Sequence, residues 1–332
     1  MVDSERPLIS VVVGAYNEED SLADTIQSLL GQSFSDYEII IVDDGSTDKT
    51  AEIAKSFEDT RVRLVAIDEN IGLPKALNRG IQESEGEYIA RADADEYSDP
   101  FRLQKQRSVF EANSGVQAVG CWYATIGPDN ERVATVQVSQ NRDFGVNDLL
   151  NNGPGIAHGS VMMQKEAIKR VGGYREEFTL AQDYDLWFRM ADEFGEGWLD
   201  VVPEVLYERR VEAHQLEKRE LQRLFAETAR KCAKRRQRGE DDTGLLKELS
   251  DRAQEVESRN FNSRVATGMY HYLQGNHLLE QGNHTASRHR ALKAIWFAPT
   301  KPRPWYLLLL SSLPSEWREA AQNWSQTVFR AR

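Results

Sequence analysis

The chain has 332 residues, 40% hydrophobic and 28% charged, a globular balance rather than a disordered one, and its length exceeds one hydrophobic core. Its 53 acidic side chains outnumber 41 basic ones, leaving a formal net charge of -12 that argues against a general nucleic-acid binder. Cys121 and Cys232 are far apart in the sequence, so they suggest no disulfide framework or zinc site and fit a reducing compartment.

The first half alternates strand and helix patterns. Residues 8–13 form a β-branched run closed by Gly14-Ala15-Tyr16-Asn17, which reads as a buried strand and its turn. Residues 18–30 carry Leu22, Ile26, Leu29 and Leu30 at helical spacing, and Gly31 stops them. A second strand is expected over 38–42, ending at Asp43-Asp44-Gly45-Ser46-Thr47-Asp48, where Asp48 is placed to cap the next helix. A third strand over 62–67, a helix over 74–84 and a fourth strand over 88–92 follow. Strands apolar on both faces and separated by helices predict a mostly parallel sheet covered on both sides. In such sheets ligands sit at the carboxyl ends of the strands, and three polar clusters fall there: Tyr16-Asn17-Glu18, Asp43-Asp44 and Asp93-Ala94-Asp95.

Further along, the pattern predicts a helix over 98–113, strands over 116–126 and 133–138, a short strand over 161–163 and a helix over 165–171 ended by Gly172-Gly173. An amphipathic helix over 183–194 turns Leu186, Trp187, Met190 and Phe194 inward, and a last strand is expected over 198–202. After about Glu212 the composition becomes highly charged and helical, with a basic run over 231–238. Short helices are then expected over 268–281, 284–297 and 304–311. These readings divide the chain into an α/β domain over 1–212 and an all-helical region over 213–332.

The strings Pro7-Leu8-Ile9-Ser10-Val11-Val12-Val13-Gly14-Ala15-Tyr16-Asn17-Glu18-Glu19, Ile41-Val42-Asp43-Asp44-Gly45-Ser46 and Asn70-Ile71-Gly72-Leu73-Pro74-Lys75 occur in that order. Gly86-Glu87-Tyr88-Ile89-Ala90-Arg91-Ala92-Asp93-Ala94-Asp95, Gly172-Gly173-Tyr174-Arg175 and Gln182-Asp183-Tyr184-Asp185-Leu186-Trp187 follow them. Together they resemble the GT-A fold glycosyltransferases of family 2 over residues 7 to about 210. The resemblance implies a Rossmann-like sheet with helices on both faces and an inverting, nucleotide-sugar-dependent sugar transfer.

By that resemblance Tyr16, Glu18, Asp44, Lys75 and Asp93 contact the donor nucleotide. A tyrosine face can stack on a base and a carboxylate can accept from a ribose hydroxyl, although both residue types also serve plain turns. Asp95 is the expected ligand of Mg²⁺ or Mn²⁺, hard cations shared between one or two carboxylates and substrate phosphates. Glu96 stands where the family often has a third aspartate, and its role is open. Asp183 is the expected general base, or equally a helix N-cap; the family usually has Glu-Asp where this chain has Gln182-Asp183. Arg209, Arg210 and His214 are candidates for the diphosphate, His214 also for the metal, with a solvated helix histidine as the default. His158 and Gln182 are candidates for the acceptor side, a buried structural role for His158 being at least as expected.

The expected partners are a UDP-, GDP- or dTDP-sugar donor and a glycan or lipid-linked acceptor, with no nucleic acid. The N-terminal Met1-Val2-Asp3-Ser4-Glu5-Arg6 has no apolar signal core, and residues 305–310 are too short to span a bilayer. A cytoplasmic protein is therefore expected, peripheral at most to the inner face of the membrane, where the run 231–238 could meet anionic headgroups. Residues 268–281 and 284–298 resemble a tetratricopeptide helix pair, a scaffold for protein contact or simply packed on the catalytic domain. Two rival readings are a nucleotidyltransferase that makes nucleotide sugars and a non-catalytic nucleotide-sugar binding scaffold. The acidic character of residues 14–19 opposes the first, and Asp183 together with Asp93 and Asp95 opposes the second.

Overall fold

The computed structural model describes residues 6–127, 131–140, 142–211, 218–257 and 263–313. Strand β1 (Ile9–Ala15) lies between β2 (Tyr37–Asp44) and β4 (Tyr88–Asp93), and β3 (Val62–Ile67) lies outside β2; all three pairings are parallel. Ile9, Val11, Val12 and Val13 are fully buried, as expected of a strand covered on both faces. Helices α1 (Leu22–Leu30), α2 (Thr50–Lys55) and α3 (Leu73–Glu83) make the crossovers. Asp48 accepts from the Thr50 amide (2.9 Å) just before α2, but the N-cap position is Lys49 rather than Asp48, one residue later than the sequence suggested.

The predicted helix over 98–113 begins later. Tyr97–Ser98 is a short strand, β5, and α4 runs Arg102–Ala112. Next come β6 (Ala118–Ile126), β7 (Arg132–Val136), α5 (Val146–Asn152), a 3-10 turn (His158–Ser160), β8 (Met162–Gln164), α6 (Lys165–Arg170), α7 (Gln182–Phe194) and β9 (Leu199–Arg210). Along the sheet the order is β3-β2-β1-β4-β8-β6-β9-β5, with β8 antiparallel to both β4 and β6, and β5 antiparallel to β9. The last strand is more than twice as long as the sequence pattern over 198–202. Its second half runs from three apolar residues (Val205, Leu206, Tyr207) into three charged ones (Glu208, Arg209, Arg210) and pairs with β5 in the register Ser98↔Tyr207 and Tyr97↔Glu208.

Two compact units interleave along the chain: one holds residues 1–125, 135–210 and 221–258, the other 126–134, 211–220 and 259–332. The chain therefore does not divide once near 212. Helices α8 (Arg219–Arg236) and α9 (Thr243–Glu257) send Leu221, Phe225, Ala229, Cys232 and Leu249 into the same core as Trp187, Trp198 and Met163. Charge on their outer faces hid that apolar stripe from a reading by composition. The basic run 231–238 is partly internal for the same reason. Arg236 pairs with Asp192 (2.6 Å) and Asp242 (2.8 Å), and Asp242 also holds Arg175 (3.0 Å).

In the second unit, α10 (Ser263–Glu280), α11 (His284–Phe297) and α12 (Pro302–Ser312) pack in sequence, with Leu279, Ala291, Leu307 and Leu310 as their core. Gly268 and Gly275, seven residues apart on α10, admit the close approach. A Cβ on Gly268 would meet that of Ala298 at 2.8 Å, and one on Gly275 would meet the Leu307 side chain at 2.7 Å. Among the described residues no helix is long and apolar enough to cross a membrane.

Candidate active site

The three parallel pairings place the carboxyl ends of β1, β2 and β4 at one edge. Gly14 is opposite both Val42 and Asp93. The turn after β1 leaves Tyr16 45% exposed and puts Asn17 at a φ of 56°. The Asn17 side-chain oxygen accepts from the Thr47 amide (2.9 Å) and the Asn17 amide donates to Ser46 (3.0 Å), so the first two polar clusters form one surface. Asp44 is buried, and its two oxygens accept from the Ile71 (2.8 Å) and Gly72 (2.9 Å) amides. It thus holds the loop before α3 against the second cluster. Gly45, at a φ of 70°, is required there because a Cβ would meet the Glu69 carbonyl carbon at 2.5 Å. Lys75, on α3, forms a surface pair with Glu176 (3.3 Å).

At the end of β4 a wholly buried guanidinium underlies the acidic cluster. Arg91 donates to Asp93 and to the Val12 carbonyl (2.7 Å). Burial would push the Asp93 carboxyl up, but Arg91 foremost, with Arg209 behind it, holds it below the usual range. Among the described residues Asp95 has no buried guanidinium paired with it as Asp93 has. Burial, then the charges of Asp93 and Glu18, push its carboxyl up to about 7, against weaker help from Arg210, whose Nε donates to the Asp95 carbonyl (3.3 Å). Asp95 therefore lies where a cation is wanted.

Glu96 is buried and turned toward β9, its Oε1 3.8 Å from Arg209 Nε. Burial and the two aspartates push its carboxyl well up. The Asp93 amide donates to the Tyr207 hydroxyl (3.0 Å). Gly159 packs against that hydroxyl and against Glu96; a Cβ there would overlap the former and stand 2.8 Å from the latter. Below them Arg102, wholly buried, donates to the Arg91 (2.9 Å) and Gly159 (2.6 Å) carbonyls and lies 5.1 Å over the Tyr207 ring.

His158 shares a hydrogen bond with the Tyr174 hydroxyl (2.7 Å) and packs edge-on against Trp187. Burial, then Arg91 and Arg209, press its pKa down to about 3, so it is a neutral imidazole. Asn78 pins the neighbouring glycine turn by bonding both the amide and the carbonyl of Tyr174 (2.8 Å each).

Asp183 is the second residue of α7, which opens on Ala181 in the left-handed region at a φ of 50°. Its Oδ1 accepts from the Tyr184 amide (2.9 Å), and burial pushes its carboxyl up against that bond and Arg209. Gln182 beside it is buried. Arg209 is the common partner. Its side chain is nearly half exposed, so desolvation opposes its charge only in part, and Glu96, Tyr123, Asp93 and Asp183 in turn support it. Five sequence-predicted residues, Asp93, Asp95, His158, Asp183 and Arg209, are thus brought into one electrostatic unit, while Asp44 and Lys75 engage neighbouring loops. His214 lies outside the described residues.

Residues 10–172 match the model for glycosyl transferase family 2. The putative glycosyltransferase EpsE of Bacillus subtilis (strain 168) is 33% identical over 218 residues, covering 64% of this chain and 76% of that relative. The chain belongs to glycosyltransferase family 2. Its GT-A fold is shared with solved structures at low identity. S. aureus TarS 1–349 in complex with UDP is similar with a TM-score of 0.53 at 16% identity over 90% of each chain. The mannosyltransferase PcManGT from Pyrobaculum calidifontis in complex with GDP-Man and Mn²⁺ has a TM-score of 0.52 at 19% identity over 89% of each. The family motifs did not single out Arg91, Arg102, Tyr207 or Gly159 in this glycosyltransferase. An arginine in the middle of the otherwise apolar 88–92 strand was the one available signal, since a buried charge demands a partner.

A divalent cation fits the donor set. Among the described residues no three His, Cys, Asp or Glu side chains form an all-protein cage. Asp95, with its repulsion from Asp93 and Glu18, instead suits a cation completed by substrate oxygens.

Proposed function

We propose that this family 2 glycosyltransferase moves a hexosyl group from a nucleoside-diphosphate sugar to a hydroxyl of a glycan or lipid-linked acceptor, with inversion at the anomeric carbon. The observation that carries this reading is Arg209, which lies 3.8 Å from Glu96 and whose charge is also supported by Asp93, at the end of β4, and by Asp183, at the start of α7. A donor-side acid pair and a lone acid joined by one cation are what a single displacement needs. The leaving group requires positive charge, and the attacking oxygen must lose a proton on the opposite face.

In this reading Tyr16 and Asp44 border the nucleoside and Asp93, oriented by Arg91 and by the Tyr207 hydroxyl, meets the donor. Asp95, assisted by Glu18, would hold Mg²⁺ or Mn²⁺, which when bound neutralises the diphosphate as the glycosidic bond breaks. Arg209 and Arg210 add fixed positive charge there. Asp183 takes the proton from the acceptor hydroxyl; its raised affinity for a proton, caused by burial, suits a base. His158, neutral and bonded to Tyr174, and Gln182 line the acceptor side.

The test is nucleoside diphosphate release from a panel of UDP-, GDP- and dTDP-sugars, with and without Mn²⁺, together with the anomeric configuration of the product. Asp183→Asn is expected to lower turnover by about 10²- to 10⁴-fold while leaving the nucleotide-induced thermal shift intact. Near-normal turnover of that variant, or a product that retains configuration, sinks the mechanism.

A further inference from the structure

Between Gln281 and Leu313 the chain has no aspartate or glutamate, in a protein whose net charge is -12. The same stretch carries Arg288, Arg290, Lys293, Lys301 and Arg303. Of these, Arg290 is turned inward to Glu131 (3.2 Å), while the other four are exposed.

Two consecutive helices in this stretch show water what globular helices usually bury. On α11 the buried side is Ser287, Ala291 and Ala294, all small. The opposite side presents Leu292, 55% exposed, and Trp296, 71% exposed, stacked one turn apart, with Arg288, His289 and Lys293 exposed around them. On α12 the buried side is Pro304, Leu307, Leu310 and Ser311. Trp305, 51% exposed, and Leu309, 54% exposed, again four residues apart, face away from it. The Trp305 indole N–H donates to the Pro299 carbonyl (2.8 Å), which fixes the ring where it stands.

We infer that the exposed faces of α11 and α12 form an interfacial surface that docks on an anionic lipid leaflet. Tryptophan and leucine on one side of a helix, flanked by lysine and arginine and free of acids, is the pattern of a helix lying in the headgroup region. The charge decides the partner. An acidic protein is repelled from an anionic leaflet except where its acids are absent and its exposed bases cluster, and among the described residues these two helices carry exposed bases with no acid between Gln281 and Leu313. Neither helix is long and apolar enough to cross, so the contact lies on the leaflet. The run 231–238 differs, because Arg236 is committed to Asp192 and Asp242 and three acids, Glu240, Asp241 and Asp242, follow it after Gly239. The inference stands apart from the proposed reaction, since none of these residues belongs to the acidic site.

The experiment is flotation of the full-length protein with vesicles of pure phosphatidylcholine and with vesicles of equal parts phosphatidylcholine and phosphatidylglycerol. Binding is expected to the anionic vesicles only, to weaken with salt, and to fall by about tenfold or more in Arg288→Glu/Lys293→Glu and in Leu292→Ser/Trp296→Ser. Circular dichroism and nucleotide-induced thermal shift of both variants should match the parent, which separates lost docking from lost folding. Absence of flotation on anionic vesicles overturns the inference, as does equal flotation of parent and variants. Sedimentation showing that the same substitutions dissolve a homodimer in the absence of lipid would overturn it in favour of a second copy of the chain.

Discussion

Asp93 and Asp95 sit two residues apart and face opposite electrostatic conditions. The first has Arg91 beneath it and stays charged; the second has mainly acidic neighbours and is pushed up to about 7. The partition comes from one buried guanidinium whose reach ends at Asp93. His158 illustrates the same rule with the opposite sign. Its ordinary pKa of 6.5 is pressed to about 3 by burial and by Arg91. Below pH 6.5 the unfolded chain therefore takes up a proton that the folded chain refuses, so stability present at neutral pH is lost as pH falls toward 3. This one group should cost the fold about 1–2 kcal/mol by pH 5. His158→Gln, which keeps a hydrogen bond for the Tyr174 hydroxyl, is expected to flatten that part of the pH–stability curve in urea titrations. An unchanged slope would mean that the imidazole is protonated in the fold.

At the scale of elements, the site depends on where β9 ends and on what packs beneath it. Pairing with β5 in the register Ser98↔Tyr207 sends the Tyr207 hydroxyl under the Asp93 amide and places Arg209 beside Glu96. A one-residue slip would exchange the faces of the strand and send both side chains elsewhere. The 3-10 turn His158–Ser160 leaves room for this only because residue 159 has no side chain. Gly159→Ala should therefore destabilise the protein by about 1–3 kcal/mol, the usual penalty of overpacking. It should also reduce sugar transfer at temperatures where the variant is fully folded, because relief of the overlap must move Tyr207 or Glu96. Full activity in a folded variant would show that the turn does not govern the site.

For the whole molecule, helices α8 and α9 are part of the sheet-bearing unit. Phe225 is almost fully buried, edge-on to Phe178, in the core that holds Trp187 and Trp198. Phe225→Ala should cost about 3–5 kcal/mol, measured as a shift in the denaturation midpoint with little change in slope. A chain ended after Arg210 is expected to lose the cooperative unfolding transition, since it exposes the apolar surface those helices cover. A sharp, parent-like transition in that truncated chain would restore a boundary near 212.

Local patterns were enough for the strand–helix alternation of the first half. A strand buried on both faces must be continuously apolar, and its turn must be polar, so Ile9–Ala15, Tyr37–Asp44 and Tyr88–Asp93 announce themselves together with the acids that follow them. The family motifs likewise pointed to Asp93, Asp95 and Asp183 by position in the chain. Only the tertiary structure decided what those acids experience. Arg91, Arg102, Tyr207 and Arg209 act through space, from strands and helices up to 118 positions apart, as Arg91 and Arg209 are, and no spacing rule encodes such a meeting. The placement of α8 and α9 was hidden for a related reason. Composition averages over a helix, whereas packing depends on one face of it, and the face that joined the core was the minority of a highly charged sequence.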